Sequence, residues 1–462
     1  MKSTSASTPL SSDEIEALAR EIMAEAQAGR KLAVGHGVQK LREAQRQQPE
    51  AAMALLWVID ERCLDRETAI DVLSDVAEAH DQDARILSVL GLCLQAARDI
   101  DDLNAPPPTN ALFHTVIEKL EPFALRYDGK PEQVPILSGL ATAARMLARQ
   151  HDAIVESCHR KLIEIEPKNS SHHYNLGLLF KTRGRFADGV TSNQAAASLA
   201  DEVEESCLWN LGICATGAGD AGVALGAWKS LGQALEIGRF SLPEGSYSQC
   251  KVKLAERPLA ERTADLDDPG AEETIWIERL SPCHGVIRSV PYQKLGVDYG
   301  DVILFDGAPI THHTYGDMRV PVFPHLATLI RRNYQLFDFA GTQDTARQLA
   351  DLSPQLDEDA IIYSHSESFM GLCANCWRDP GLDHDRHERV EKHVVRGRIA
   401  APPEMAAARL LEMIDKAIEK QAGQCQLYAP DLCAAAGLHA RERIDRRRFG
   451  LLTGNSPGQY PN

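Results

Sequence analysis

Two copies of Asn-Leu-Gly, at 175–177 and 210–212, stand 35 residues apart in this chain. Each lies in a stretch with helical spacing of apolar residues, and each is followed by a glycine, a second apolar run and a small residue. A fixed period of that length specifies one helix pair per unit. One pair cannot bury its apolar face alone, so neighbouring units must stack on one another.

The units are Ser170–Asp201 and Glu205–Glu236, preceded by one that starts near residue 136 and ends in IEIEPKNS with Pro167. The pattern residues are Leu176, Gly177, Phe180, Gly184, Phe186 and Ala196 in one unit, and Leu211, Gly212, Gly219, Ala224 and Leu231 in the next. The small residue after leucine admits the second helix at close range, and the later alanine keeps the crossing tight. Upstream, Ser11 and Glu14 form a capping-box pair ahead of Ile15, Leu18 and Ile22, which predicts a first helix from about Ser12 to Gly29. Helical patterns continue through LREAQRQQPEAAMALLWVID, RETAIDVLSDVAEAH and ARILSVLGLCLQAARDI, break at Pro106–Pro108, and resume at NALFHTVIEKLEPFAL and QVPILSGLATAARMLARQ. No strand-like alternation is read before about residue 270.

Over residues 136–236 the pattern resembles the tetratricopeptide repeat family. The resemblance implies a helical solenoid whose concave groove, lined by the first helix of each pair, holds an extended peptide or a partner's helix. Asn175 and Asn210 fall at the family's groove-facing asparagine position, with Lys181 and Arg145 as nearby basic candidates. The lysine set that clamps a C-terminal carboxylate in chaperone-binding members is absent, since Thr182 and Gly217 stand at those places.

Residues 255–273, charged and interrupted by Pro258 and Pro269, read as a linker. Beyond them the period changes. ETIWIERL, HGVIRSV, DVILFDG, YQLFDFAG and AIIYSHSE read as strands, and HLATLIRRN and TQDTARQLADL as helices between them. The expectation is a multidomain protein, α plus α/β. Its parts are a tail at 1–12, an all-α solenoid at 13–254, a linker at 255–273, a mixed α/β or α+β domain at 274–400, C-terminal helices at 401–450 and a tail at 451–462. The helix expected in EMAAARLLEMIDKAIEK has Leu410, Leu411, Ile414, Ala417 and Ile418 on its apolar face, and a second helix carries Arg441, Arg443, Arg446, Arg447 and Arg448.

Two groups in this half have the residue types for chemistry. Asp306, Asp338, His365 and Glu367 sit at the ends of apolar strands, where open α/β sheets gather their sites, with His284 as a further member and His312–His313 in reserve. Asparate-like residues there also cap turns. The second group is CANCWRDPGLDHDRHERVEKH. Cys373 and Cys376 form a C-x-x-C knuckle, and His384, His387 and His393 follow; two thiolates and two imidazoles make a tetrahedral zinc site, predicted on Cys373, Cys376, His384 and His387. Cys425 and Cys433 supply an alternative second pair. A redox C-x-x-C would open a helix after a strand, and this one does not.

A net charge of −17 argues against a nucleic-acid binder, which needs a basic face. No apolar run reaches the roughly 18–20 residues of a membrane helix, and MKSTSASTPLSS lacks the apolar core of a secretory signal. Most of the cysteines, Cys63, Cys93, Cys158, Cys207 and Cys214 among them, sit singly in helical contexts, as buried small hydrophobes do. The expectation is a cytoplasmic interaction scaffold that captures a protein or peptide partner, with zinc in its C-terminal domain. The alternative is a metal-dependent, hydrolase-like enzyme acting on a protein that the solenoid recruits.

Overall fold

The structure is a computed structural model that describes residues 9–97, 111–147, 149–200, 204–356, 359–373 and 389–454. It divides into two compact units. The first comprises residues 1–245 together with 259–269 and 307–312; the second comprises 246–258, 270–306 and 313–462.

Among the described residues, the first unit is helical up to residue 230. Its N-terminal helices are α1 (Ser12–Gln27), α2 (Lys31–Ala44), α3 (Pro49–Asp60), α4 (Arg66–Ala79), α5 (Ala84–Cys93) and α6 (Ala111–Arg126). The Ser11–Glu14 capping box is formed in both directions, which sets the start of α1 where the sequence predicts it. One predicted run is in fact two helices, α2 and α3. The break falls at 45–48 because Pro49 suits the first helical turn but not the interior. Pro106–Pro108 lie outside the described residues.

The periodic region follows as α7 (Gln133–Arg145), α8 (Asp152–Ile165), α9 (Ser170–Thr182), α10 (Phe186–Leu199), α11 (Glu205–Ala218) and α12 (Ala221–Ser230). Each of these helices packs on the next, and α9 also packs on α11. The glycines of the period sit at the closest crossings. A Cβ on Gly177 would meet the Asn193 side chain of α10 at 2.5 Å, and one on Gly212 would meet the Trp228 indole of α12 at 2.5 Å. Ala196 and Ala224 are fully buried on the facing helices. Further upstream the same device recurs between α5 and α7, where Gly91 and Gly139 bring backbone against backbone.

Strands begin earlier than the sequence suggests. β1 (Glu236–Ile237) pairs with β2 (Pro243–Glu244), and β3 (Cys250–Ala255) already belongs to the second unit, so the helical unit ends near 245 rather than 254. The predicted linker is not free either. Residues 259–269 pack into the helical unit, and β4 starts at Glu272.

In the second unit, β3, β4 (Glu272–Arg279), β5 (His284–Ile287), β6 (Val302–Phe305) and β8 (Met318–Ile330) form a closed ring. Four junctions are antiparallel. Alternation around a ring of five must fail once, and it fails at β3–β8, which is parallel. β7 (Thr311–Tyr315) extends the ring beyond β8. Val252, Ile277, Ile287, Ile303, Phe305 and Phe323 fill the interior. The segment HLATLIRRN is thus the end of strand β8, up to Ile330, and the short connection after it, not a helix.

The second sheet, in the order β10–β11–β9–β12, is antiparallel throughout; its strands are β9 (Gln335–Gln343), β10 (Ile361–Cys373), β11 (Arg389–Ala401) and β12 (Cys425–Tyr428). Of the two layouts left open by the sequence, this is α+β. One face carries Phe339, Ile362, Val395 and Ile399 against Leu410, Leu411 and Ile414 of α13 (Ala407–Glu419) and Leu432 of α14 (Pro430–Ala435). The neighbouring positions Ala340 and Val394 face the other way, toward Leu452 of α15 (His439–Thr453), as the two-residue period of a strand requires. Helix α15 takes in residues 451–453 of the expected tail. TQDTARQLADL forms a bend and a 3-10 turn at Ala350–Gln355 instead of a helix.

Candidate functional site

The helical unit brings three of its four sequence-predicted partner-binding residues into polar contacts of its own. Lys181 of α9 and Asn210 of α11 are both buried, and the Lys181 ammonium donates to Asn210 Oδ1 at 2.9 Å. That bond ties the first helices of consecutive units together. Asn210 is therefore not an exposed reader of a bound backbone; only its Nδ2, buried and without a hydrogen-bond partner, retains capacity. Arg145 is half-buried in α7, where burial first and its positive charge second push the nearby His159 down to about 4. Asn175 is half-buried, and its side chain makes no hydrogen bond among the described residues.

Two residues with no motif of their own have a larger part. Arg149 lies between α7 and α8, almost fully buried. Its Nε donates to Asp267 Oδ1 at 2.6 Å, and its Nη2 donates to the Thr182 carbonyl at 3.1 Å and to the Leu259 carbonyl. Gly184, at φ 71°, lies so close to the Ala260 carbonyl that a Cβ would come within 2.7 Å. Residues 259–269 are held there against the ends of the helices. Trp209 of α11 stacks edge-on against Trp228, with ring centroids 5.2 Å apart, and receives Gly307 on its benzene edge. Residues 307–312 are held there against α11. The unit thus takes up two short segments from later in its own chain, at Arg149 and at Trp209.

The five catalytic candidates are not brought together. Among the described residues no group of three or more His, Cys, Asp and Glu side chains is placed to hold a metal ion. His284 is fully buried in β5; its Nδ1 shares a 2.5 Å hydrogen bond with Ser281 Oγ, and desolvation pushes it down to about 4. Asp306, at the end of β6, donates its backbone amide to the Pro324 carbonyl. Asp338 is paired across strands with Arg398, to which it is opposite in register, at 2.9 Å. His365 is the extra residue of a bulge between Ser364 and Ser366, with Nε2 2.8 Å from the Val290 carbonyl. Glu367 is exposed and accepts the Arg347 amide at 3.0 Å. His313 lies 3.4 Å from the Lys251 ammonium. The physical reason is topological. Sites collect at one edge of a sheet when its strands run parallel. Here they alternate, so the carboxyl ends of successive strands point to opposite edges.

Of the predicted zinc ligands, Cys376, His384 and His387 lie outside the described residues, as does the Cys373 side chain. The backbone of Cys373 ends β10 directly opposite Arg389 of β11, so the two ends of the segment 374–388 are held side by side. The four-cysteine alternative fails. Cys425 lies in the row Cys425–Gln343–His393–Phe369, four residues back along β10 from Cys373 and three strands across the sheet. At roughly 3.3 Å per residue and 4.8 Å per strand that is about 20 Å. Cys433 is buried with its thiol on Asp445, and burial pushes it up to about 12.

The arginines of α15 are largely engaged within the fold. Arg441 pairs with Asp415 at 2.5 Å and Arg446 with Glu442 and Asp431, while Arg448 donates to the Tyr428 hydroxyl. Asp338 and Arg398 do border a cavity, which also involves Asp298, Asp301 and Arg331. In the sequence that loop, Gly-Val-Asp-Tyr-Gly-Asp, shows only as a turn between strands. No described helix is long and apolar enough to cross a membrane.

No protein-family model matches the chain, and no curated protein matches it. Among solved structures it is similar to BtubC (BKLC) from P. vanneervenii, with 17% identity, a TM-score of 0.30, and coverage of 50% of this chain and 97% of that one. A structure of Naa15/Naa10 bound to HypK-THB is similar at 13% identity and a TM-score of 0.23, covering 48% of this chain and 43% of that one. Likeness at that level carries no argument about this chain.

Proposed function

We propose that this chain is an interaction scaffold of the tetratricopeptide type, in which the helical unit captures an extended stretch of polypeptide. One observation supports the reading above the others: the unit packs two short segments of its own chain, residues 259–269 and 307–312, on Arg149 and Trp209. Arg149 takes a backbone carbonyl and a carboxylate, the groups an extended peptide offers. Trp209 is a half-buried aromatic side chain whose benzene ring lies close to the Gly307 backbone, and such a side chain is a common anchor in peptide recognition.

In this reading the partner peptide is chemically like residues 307–312, Gly-Ala-Pro-Ile-Thr-His, without acidic residues, lysine or arginine, and it competes with them for α11. The test uses Gly307→Leu, whose side chain no longer fits against Trp209. A labelled peptide of residues 303–314 is titrated into the full-length variant and followed by anisotropy. Saturable binding, weakened at least tenfold by adding Trp209→Ala, is the expected result. A peptide that binds neither protein would remove the reading.

The C-terminal unit is proposed to carry zinc on Cys373, Cys376, His384 and His387. The support is the β10–β11 pairing, which holds the ends of the segment together. Metal analysis of the purified chain decides it. About one zinc per chain, lost on Cys376→Ser, is expected; none in the unsubstituted chain sinks the proposal.

A further inference from the structure

The second unit contains a cavity of about 390 Å³, bordered by Lys294, Asp298, Arg331, Tyr334, Leu336 and Arg398 among others. Small-molecule sites start at about this size. Its ionic groups are of two kinds. Some are satisfied by the fold itself. Arg398 is held by Asp338 and by the Pro291 carbonyl, both at 2.9 Å. Asp301 is buried and accepts the backbone amides of Asp298 and Arg332, so it closes the turn. Asp431 is paired with Arg446 at 3.1 Å.

The others are not. Asp298 accepts its neighbour's amide, that of Tyr299, at 2.8 Å; the Arg398 charge acts on it, but it forms no ion pair among the described residues. Burial raises its carboxyl to about 6. Arg331 donates to the Gly296 carbonyl, its charge acts on Asp301, and it forms no ion pair among the described residues. Lys294 is exposed and makes none either. A carboxylate and two cations thus line one cavity, none of them in an ion pair among the described residues. Leu336 and Tyr334 add apolar surface to the lining. A single ligand that carries a positive and a negative group, with an apolar body, would use all of these.

We propose that this cavity binds a small zwitterion, an α-amino acid with an apolar side chain. Its ammonium pairs with Asp298, its carboxylate with Arg331 and Lys294, and its side chain lies against Leu336 and Tyr334. The site is separate from the peptide capture assigned to the helical unit, and either proposal can fail without the other.

The test is isothermal titration of the full-length chain with L-leucine, L-leucinamide, which lacks the carboxylate, and 4-methylpentanoate, which lacks the ammonium. L-leucine should bind saturably, and each truncated compound at least tenfold more weakly. Asp298→Asn should weaken L-leucine at least tenfold and leave 4-methylpentanoate unchanged. Arg331→Gln, an exposed change that does not depend on the core, should weaken L-leucine and leave L-leucinamide unchanged. No saturable heat with L-leucine, equal binding of the three compounds, or indifference of L-leucine to Arg331→Gln would each overturn the proposal.

Discussion

Gly212 shows how one residue sets a helix pair. Its missing Cβ leaves room for the Trp228 indole, so Gly212→Leu must push that ring out of a site where it is fully buried. Overpacking of this kind costs about 1–3 kcal/mol. A urea titration of the variant should show a lowered midpoint, and an unchanged midpoint would mean that α11 and α12 separate without strain. His284 and His159 make a different residue-scale prediction. Both are held neutral by burial, at about 4 against an ordinary 6.5. The unfolded chain takes up a proton at each as pH falls through 6.5, and the folded chain does not until about 4. Stability is therefore full above 6.5 and drains away between 6.5 and 4. A shift of that size is worth roughly 3 kcal/mol per histidine at most. Thermal unfolding from pH 7.5 to 4.5 should show a falling midpoint, with a shallower slope in His284→Gln.

At the scale of elements, the helices of the repeat were readable because a 3.6-residue period and a glycine at each crossing are local signals. The Asn-Leu-Gly pairs name the helices that contain them, and Ser11 with Glu14 names the first. The strand β8 was not readable as one. Leu326, Leu329 and Ile330 satisfy a helical spacing as well as an extended one, and what decides between them is pairing with β6 and β3, which are distant in sequence. The same limit hid the candidate sites. Asp338 looked like a strand-end carboxylate, but its partner is Arg398, sixty residues on. Lys181 and Asn210 looked like groove residues, yet they bond to each other across helices. Arg149 had no signal at all, since its value lies in meeting Asp267 and Leu259. Arg149→Ala leaves the Asp267 carboxylate half-buried and unpaired, with a cost of about 3 kcal/mol. Limited proteolysis should then cut within 259–269 before the helices, and simultaneous loss of the whole helical unit would show that the arginine is only a core residue. For α13, Ile414→Ala opens the core against the second sheet and should cost about 2–5 kcal/mol, read as a lower urea midpoint.

Across the whole molecule, the boundary drawn by folding is not the boundary drawn by sequence order. The helical unit ends near 245, then takes back residues 259–269 and 307–312, while β3 is already part of the second unit. Shortening 255–273 as though it were a passive linker would remove Asp267 and Leu259 from Arg149, so such a deletion is predicted to destabilise the helical unit as well as loosen the connection. The central claim is that the face of α11 around Trp209 binds extended peptide and is at present occupied by the chain itself. Hydrogen exchange by mass spectrometry on the full chain and on Gly307→Leu, each with and without a peptide of residues 303–314, reads this most directly. The account predicts that the variant loses protection at 307–312 and in α11, and that added peptide restores it in α11 alone. Protection in α11 that is the same in all four samples would contradict it.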